Sequence, residues 1–156
     1  FEYGKPLKSD NRVQGDYPVF GSNGIVGYHN SYLVEAPFII VGRKGSAGEV
    51  HYSEKNGYPI DTTFFIKLKN ENRITLKYLF YVLKSLNLRS VNTQAGVPGL
   101  NRNDAYKIDI SLPPLEYQNE ITALIEHVRD IVEGNRELIQ FYEKKIEKVI
   151  EQVWEE

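Results

Sequence analysis

Along the last third of the chain, apolar residues recur at alternating steps of three and four. One set is Ile125, Val132, Ile139, Ile146 and Val153; the other is Ile121, Val128, Asn135, Tyr142 and Val149. Only Asn135 among them is polar. This period predicts one long helix from Glu116 to Glu156, about 60 Å long at ~1.5 Å per residue. A seam sustained over several heptads needs another helix to cover it, so these positions, Ile121 apart, form the candidate dimerisation face of a coiled coil. Leu124, Ile131 and Leu138 widen the stripe in its first half, which is expected to pack on its own globular domain as well as on a partner. Gly134 is the weak point, since glycine costs about 1 kcal/mol relative to alanine inside a helix. One reading is a turn between two shorter helices. The seam keeps its phase across Gly134, which favours an unbroken helix in which Asn135 fixes register.

Upstream the pattern is different. Tyr17-Pro18-Val19-Phe20, Ile25-Val26-Gly27-Tyr28, Phe38-Ile39-Ile40-Val41, Val50-His51-Tyr52 and Thr62 to Leu68 are short, β-branched or aromatic, and bounded by Gly, Pro, Asn or Ser. They predict strands. From Thr75 to Leu86 the period switches to helical, with Leu76, Leu79, Phe80, Leu83 and Leu86 on one face and Thr75 able to cap. A loop from Asn92 to Leu100 and a late strand from Tyr106 to Leu112 follow. Pro113-Pro114 cannot continue a ladder and marks the junction with the long helix. The fold class is α+β: a small β-rich domain over 1–114 with a short helix, then a long helix over 115–156.

Charge divides along the same boundary. Residues 1–112 carry 14 Lys+Arg against 10 Asp+Glu, and residues 113–156 carry 5 against 11, giving +4 and −6 within a net −2. A mildly basic domain on an acidic helix suits an anionic partner for the first and not for the second. Cysteine is absent, which excludes a disulfide framework and a thiolate metal site. No stretch approaches the ~20 apolar residues of a membrane span, and no signal peptide is visible, which fits the cytoplasm. Methionine is absent as well, so the chain is expected to be processed or a fragment.

Catalytic chemistry finds little support. His29, His51 and His127 are isolated, without clustered carboxylates, and make no metal site. Asp61-Thr62-Thr63 has no base at a recognisable spacing. Gly42-Arg43-Lys44-Gly45-Ser46 lacks the spacing and lysine of a phosphate-binding loop. Leu112-Pro113-Pro114-Leu115 lacks the Asn or Asp and the aromatic of the amino-methyltransferase tetrapeptide. What remains is a set of polar, glycine-rich loops: Gly21-Ser22-Asn23-Gly24, Arg43 to Gly48, and Asn92 to Asn103. Glycine permits close approach to a phosphate, Ser, Asn and Gln offer short donors, and Arg can contact guanine through two bonds. Arg43, Lys44, Arg89 and Arg102 supply the charge. The same loops also read as plain hairpin turns.

Tyr17-Pro18-Val19-Phe20-Gly21-Ser22-Asn23-Gly24-Ile25-Val26-Gly27-Tyr28, followed by Ile39 to Gly48, strongly resembles the target recognition domain of type I restriction–modification specificity subunits. The resemblance continues through Asp61-Thr62, Tyr78-Leu79, Gly96 to Arg102, Ile108-Asp109-Ile110 and Leu112 to Gln118. It spans nearly the whole chain, in order. It implies a non-catalytic subunit that reads one half of a split double-stranded DNA target and docks methyltransferase and restriction subunits. Its long helix would act as a ruler and pair with a second copy or the second half of the subunit. S-adenosylmethionine and ATP are expected on the partner subunits and no cofactor on this chain. Ser22, Asn23, Arg43, Lys44, Ser46, Thr93, Gln94 and Arg102 are the candidate DNA-binding residues. The first residues join the family pattern late, so the chain is either half of a full subunit or a half-length one.

Two other classes stay open on sequence. One is a coiled-coil adaptor whose β domain binds a protein or glycan, or a competitor that pairs with a host subunit. The other is the recognition domain of a fused single-chain restriction–modification enzyme. The base sequence read, the orientation of paired helices and the affinity for DNA without partners are not legible.

Overall fold

The computed structural model describes residues 1–70, 72–91 and 99–154. They divide into two compact units, Phe1–Gln118 and Asn119–Glu156. The first unit is built on two small sheets. One has the order β1-β7-β4-β5, from strands Glu2–Tyr3 (β1), Phe38–Gly42 (β4), Val50–Ser53 (β5) and Thr63–Phe65 (β7). The other has the order β3-β2-β6, from Tyr17–Gly21 (β2), Gly24–His29 (β3) and Tyr58–Pro59 (β6). All neighbours are antiparallel except β2 and β6.

Strand β4 explains the architecture. Its run Phe38-Ile39-Ile40-Val41 is buried throughout and shows no polar alternation, as a strand covered on both faces should. Ile39 and Val41 enter a core with Leu79, Phe80 and Leu83 of helix α1 (Leu76–Ser85). Phe38 and Ile40 face the opposite way, into a smaller cluster with Phe20 of β2. One strand thus serves two layers, the helix on one side and the second sheet on the other.

Helix α1 starts where the sequence places it. The Thr75 hydroxyl accepts from the Tyr78 backbone N–H at 3.3 Å, closing the first turn. Leu76 and Leu86, at the ends of the predicted face, are half-buried against the same core.

Two expectations change, and two short strands were not foreseen. The strand predicted over Thr62 to Leu68 is formed only from Thr63 to Phe65, although Ile66 still donates its N–H to the Ile39 carbonyl. No strand forms over Tyr106 to Leu112. A short helix α2 (Arg102–Ala105), capped by Asn101, occupies the chain just before, and Tyr106 continues its turn. Ile108 and Ile110 then pack half-buried against the core. Their period-two spacing reports alternate burial along an unpaired segment rather than a ladder. Strands β1 and β6, each two residues, carried too few positions for any period to register.

The long helix α3 runs without a break from Leu115 to Trp154, so Gly134 is helical and the turn reading falls. A Cβ at Gly134 would meet nothing within 4 Å. Ile121, Val128, Val132, Ile139, Tyr142, Ile146 and Val149 of the seam are exposed, as are Leu124, Ile131 and Leu138. Ile125 is half-buried, Asn135 is exposed, and the Val153 side chain lies outside the described residues.

The first turn of α3 is held by Gln118, which is fully buried. Its amide oxygen accepts from the Thr75 N–H at 2.9 Å, and its amide nitrogen donates to the Arg73 carbonyl at 2.9 Å and the Pro113 carbonyl at 2.8 Å. One side chain therefore satisfies three backbone groups at the starts of two helices. Gln118→Leu, close in size but without the amide, should cost about 3 kcal/mol by stranding those groups. Thermal or urea unfolding would register it, and a loss under about 1 kcal/mol would show that water replaces the amide. Gly134→Ala should stabilise α3 by about 1 kcal/mol, read as increased helical circular dichroism.

Candidate nucleic-acid interface

Two of the polar loops singled out in the sequence, Gly21–Gly24 and Arg43–Gly48, converge on one backbone atom, the carbonyl oxygen of Thr62. It accepts from the N–H groups of Arg43 (2.9 Å) and Lys44 (3.1 Å), and from the Ser22 hydroxyl (2.6 Å). The Ser22 hydroxyl is thereby spent inside the protein, and Ser22 itself is buried. A fourth segment joins through Leu100, whose N–H donates to the Arg43 carbonyl at 2.9 Å, and through a bridge between Lys44 and Gly99. Turns from both sheets and the approach to α2 thus form one surface.

The glycines act mainly within this surface. A Cβ on Gly42 would fall 2.2 Å from the Ser46 carbonyl oxygen. Gly48 has φ +84°, and its Cβ would fall 2.7 Å from the Arg89 nitrogen. Gly24 turns the β2–β3 hairpin at φ +104°, which leaves Ser22 and Asn23 as its tip.

Around that frame the candidate side chains separate by depth. Asn23 and Lys44 are exposed at the tips, while Ser46 is half-buried. Arg43 is half-buried, donates from Nη1 to the Asp61 carbonyl at 3.0 Å, and places its guanidinium carbon 4.8 Å from the centre of the Tyr3 ring. Arg102, also half-buried, lies 5.1 Å from the same ring. Arg89 is neutralised by an ion pair with Glu49. Among the described residues Arg43, Lys44 and Arg102 have no carboxylate partner. Thr93 and Gln94 lie outside the described residues.

Sequence reasoning missed three participants. Tyr3 lies far along the chain from Arg43 and Arg102, so no local spacing could link it to them. Thr62 acts through its carbonyl, to which residue type is blind. His51 read as an isolated strand histidine, but it lies against the β2–β3 turn: a Cβ on Gly24 would be 3.5 Å from its Cε1. Burial pushes its imidazole below the ordinary histidine range, opposed by a hydrogen bond with the Ser22 backbone and reinforced by the charge of Lys84. Its Nε2 is buried without a partner. Acidification therefore places a disfavoured charge directly behind the hairpin tip.

Among the described residues no three or more His, Cys, Asp or Glu side chains group as metal ligands. No described helix is long and apolar enough to cross a membrane.

Comparison with known proteins gives a consistent answer. Residues 2–141 match the family described as type I restriction modification DNA specificity domain. A putative type I specificity subunit of Mycoplasma pneumoniae is 26% identical over 142 residues, covering 85% of this chain and 46% of the relative. A putative type I restriction enzyme specificity subunit of Haemophilus influenzae is 27% identical over 124 residues, covering 78% and 32%. The chain thus spans less than half the length of these relatives. The crystal structure of a type I restriction–modification system S subunit from M. genitalium superposes with a TM-score of 0.76 at 20% identity, over 92% of this chain and 40% of that one. The HsdS subunit of Thermoanaerobacter tengcongensis gives 0.62 at 16% identity, over 85% and 35%. At such identities the structures show a shared fold, and the family match over most of the length settles membership. The chain belongs to the type I restriction modification DNA specificity domain family.

Proposed function

We propose that this chain is a non-catalytic recognition module that reads one half of a split double-stranded DNA target for a type I restriction–modification system. The observation that carries this reading is the loop surface around Thr62, where, among the described residues, Arg43, Lys44 and Arg102 stand without carboxylate partners in a chain whose net charge is negative. Cations left uncompensated on rigid loops attract phosphates, and exposed short polar side chains beside them can address base edges. Asn23 and Lys44 occupy such tips. Thr93 and Gln94 join them in this proposal on sequence alone. Ser22 and Ser46 serve it by shaping the loops.

The helix supplies the second half of the function. Seven exposed apolar seam residues cost solvation free energy until another helix covers them, and a second copy or a second half of the subunit has the matching period. Pairing fixes the separation of two recognition domains and so the spacer between half-sites. In this reading the assembly works in the cytoplasm and docks methyltransferase and restriction subunits. S-adenosylmethionine and ATP bind to those partners rather than to this chain.

Selection from a random duplex library, by the chain together with type I modification subunits at moderate salt, should return a split motif with one fixed spacer. Recovery of no enriched sequence would transfer the weight to an adaptor that binds protein or glycan. Inserting or deleting one heptad of α3, between Val128 and Tyr142, should change the preferred spacer and leave each half-site sequence intact. An unchanged spacer would refute the ruler.

A further inference from the structure

Tyr3 belongs to none of the loops that the sequence nominates, yet two of their cations, Arg43 and Arg102, rest on it. The guanidinium carbons of Arg43 and Arg102 are 4.8 and 5.1 Å from its ring centre, so the two charges lie within about 10 Å of one another, the sum of those distances. That spacing is comparable to the screening length of ~10 Å at 0.1 M salt, so their repulsion survives in part. The ring's negative face offsets some of it. Among the described residues no carboxylate neutralises either one. Arg102 adds an Nε that is buried without a partner. Tyr3 is 46% exposed, so the cluster lies at the surface.

Depth decides what kind of anion fits. Reading a base edge requires a side chain that extends into a groove ~8.5 Å deep. Arg43 cannot extend while Nη1 holds the Asp61 carbonyl and its cation rests on Tyr3, and Arg102 is recessed on the same ring. Phosphates line the rim of the groove and can come to a recessed site. Asn23 and Lys44, exposed at the tips, are the groups with reach.

We propose that Arg43 and Arg102, held against Tyr3, form a clamp for one backbone phosphate of the target duplex, with Tyr3 as its positioning residue. The clamp rests on the DNA-reading function and adds a division of labour to it. Recessed arginines set register on the backbone, and the loop tips carry sequence discrimination.

The test is the salt dependence of binding to a duplex with the selected half-site and to a scrambled duplex, by the full chain with type I modification subunits. Arg102→Gln should weaken both duplexes alike and reduce the slope of log K against log salt by about one. Tyr3→Leu should weaken both by about three- to tenfold without shifting base preference, and Tyr3→Phe, which keeps the ring, should restore wild-type affinity. Thermal unfolding of each variant checks the fold, and if Tyr3→Leu unfolds, Arg102→Gln decides alone. An unchanged slope with altered preference at one base pair would make Arg102 a base reader and overturn the clamp. Wild-type affinity in a folded Tyr3→Leu variant would remove the positioning role. Failure of the wild type on every duplex would instead sink the DNA-reading function and the clamp with it.

Discussion

Much of this protein's surface chemistry hangs on one carbonyl. The Thr62 oxygen receives two backbone N–H groups from the loop that follows β4 and a hydroxyl from the β2–β3 turn, so it ties together loops from two sheets that share no strand pairing. A loop free in water would give up backbone entropy worth about 1–2 kcal/mol per residue when it met a ligand. Loops already fixed at their roots incur less of that cost. This matters in the proposed role of distinguishing DNA sequences, because discrimination requires donors that cannot rearrange to suit the wrong base.

The glycines take on a different meaning in this frame. From sequence, Gly42, Gly45 and Gly48 suggest a backbone made bare for phosphate. The structure gives Gly42 and Gly48 internal reasons: one approaches the Ser46 carbonyl and the other packs on the Leu88–Arg89 backbone in a left-handed conformation. Only Gly45, at φ +71° with open space around it, is free of such crowding. The loop is glycine-rich mainly because it folds tightly on itself, and the charge it presents comes from the side chains between the glycines.

How much was legible follows from the range of the signal. The Phe38–Val41 run, the α1 face with its Thr75 cap, and the α3 seam are each periodic over enough residues to declare themselves. The unbroken helix across Gly134 was legible because phase is a property of many positions and outweighs one poor helix former. Where period-two spacing came without a partner strand, as at Ile108 and Ile110, it misled, because alternation encodes which side is buried and not what the backbone bonds to. Gln118, Tyr3 and Thr62 could not be found at all. Their roles are set by contacts across 40 or more residues or through backbone atoms, and neither leaves a local pattern.

The acidic helix and the basic loops answer to opposite demands, which explains why the net charge says so little. Residues that attract phosphate would be a liability along α3 if it runs beside DNA, since they would hold the duplex at points unrelated to sequence. Acidic residues there confine attraction to the loop surface. In the proposed pairing of two such helices, the attraction has to be apolar, since like-charged helices repel. Ile121, Val128, Val132, Ile139, Ile146 and Val149 are the residues to supply it, and their exposure in the single chain is the imbalance that the proposed pairing would remove. In the proposed pair, a polar Asn135 in the middle would weaken the seam but leave slipped registers weaker still, because slippage would set its amide against an aliphatic side chain without a hydrogen-bond partner. For the proposed role as a ruler, holding one length matters more than holding tightly.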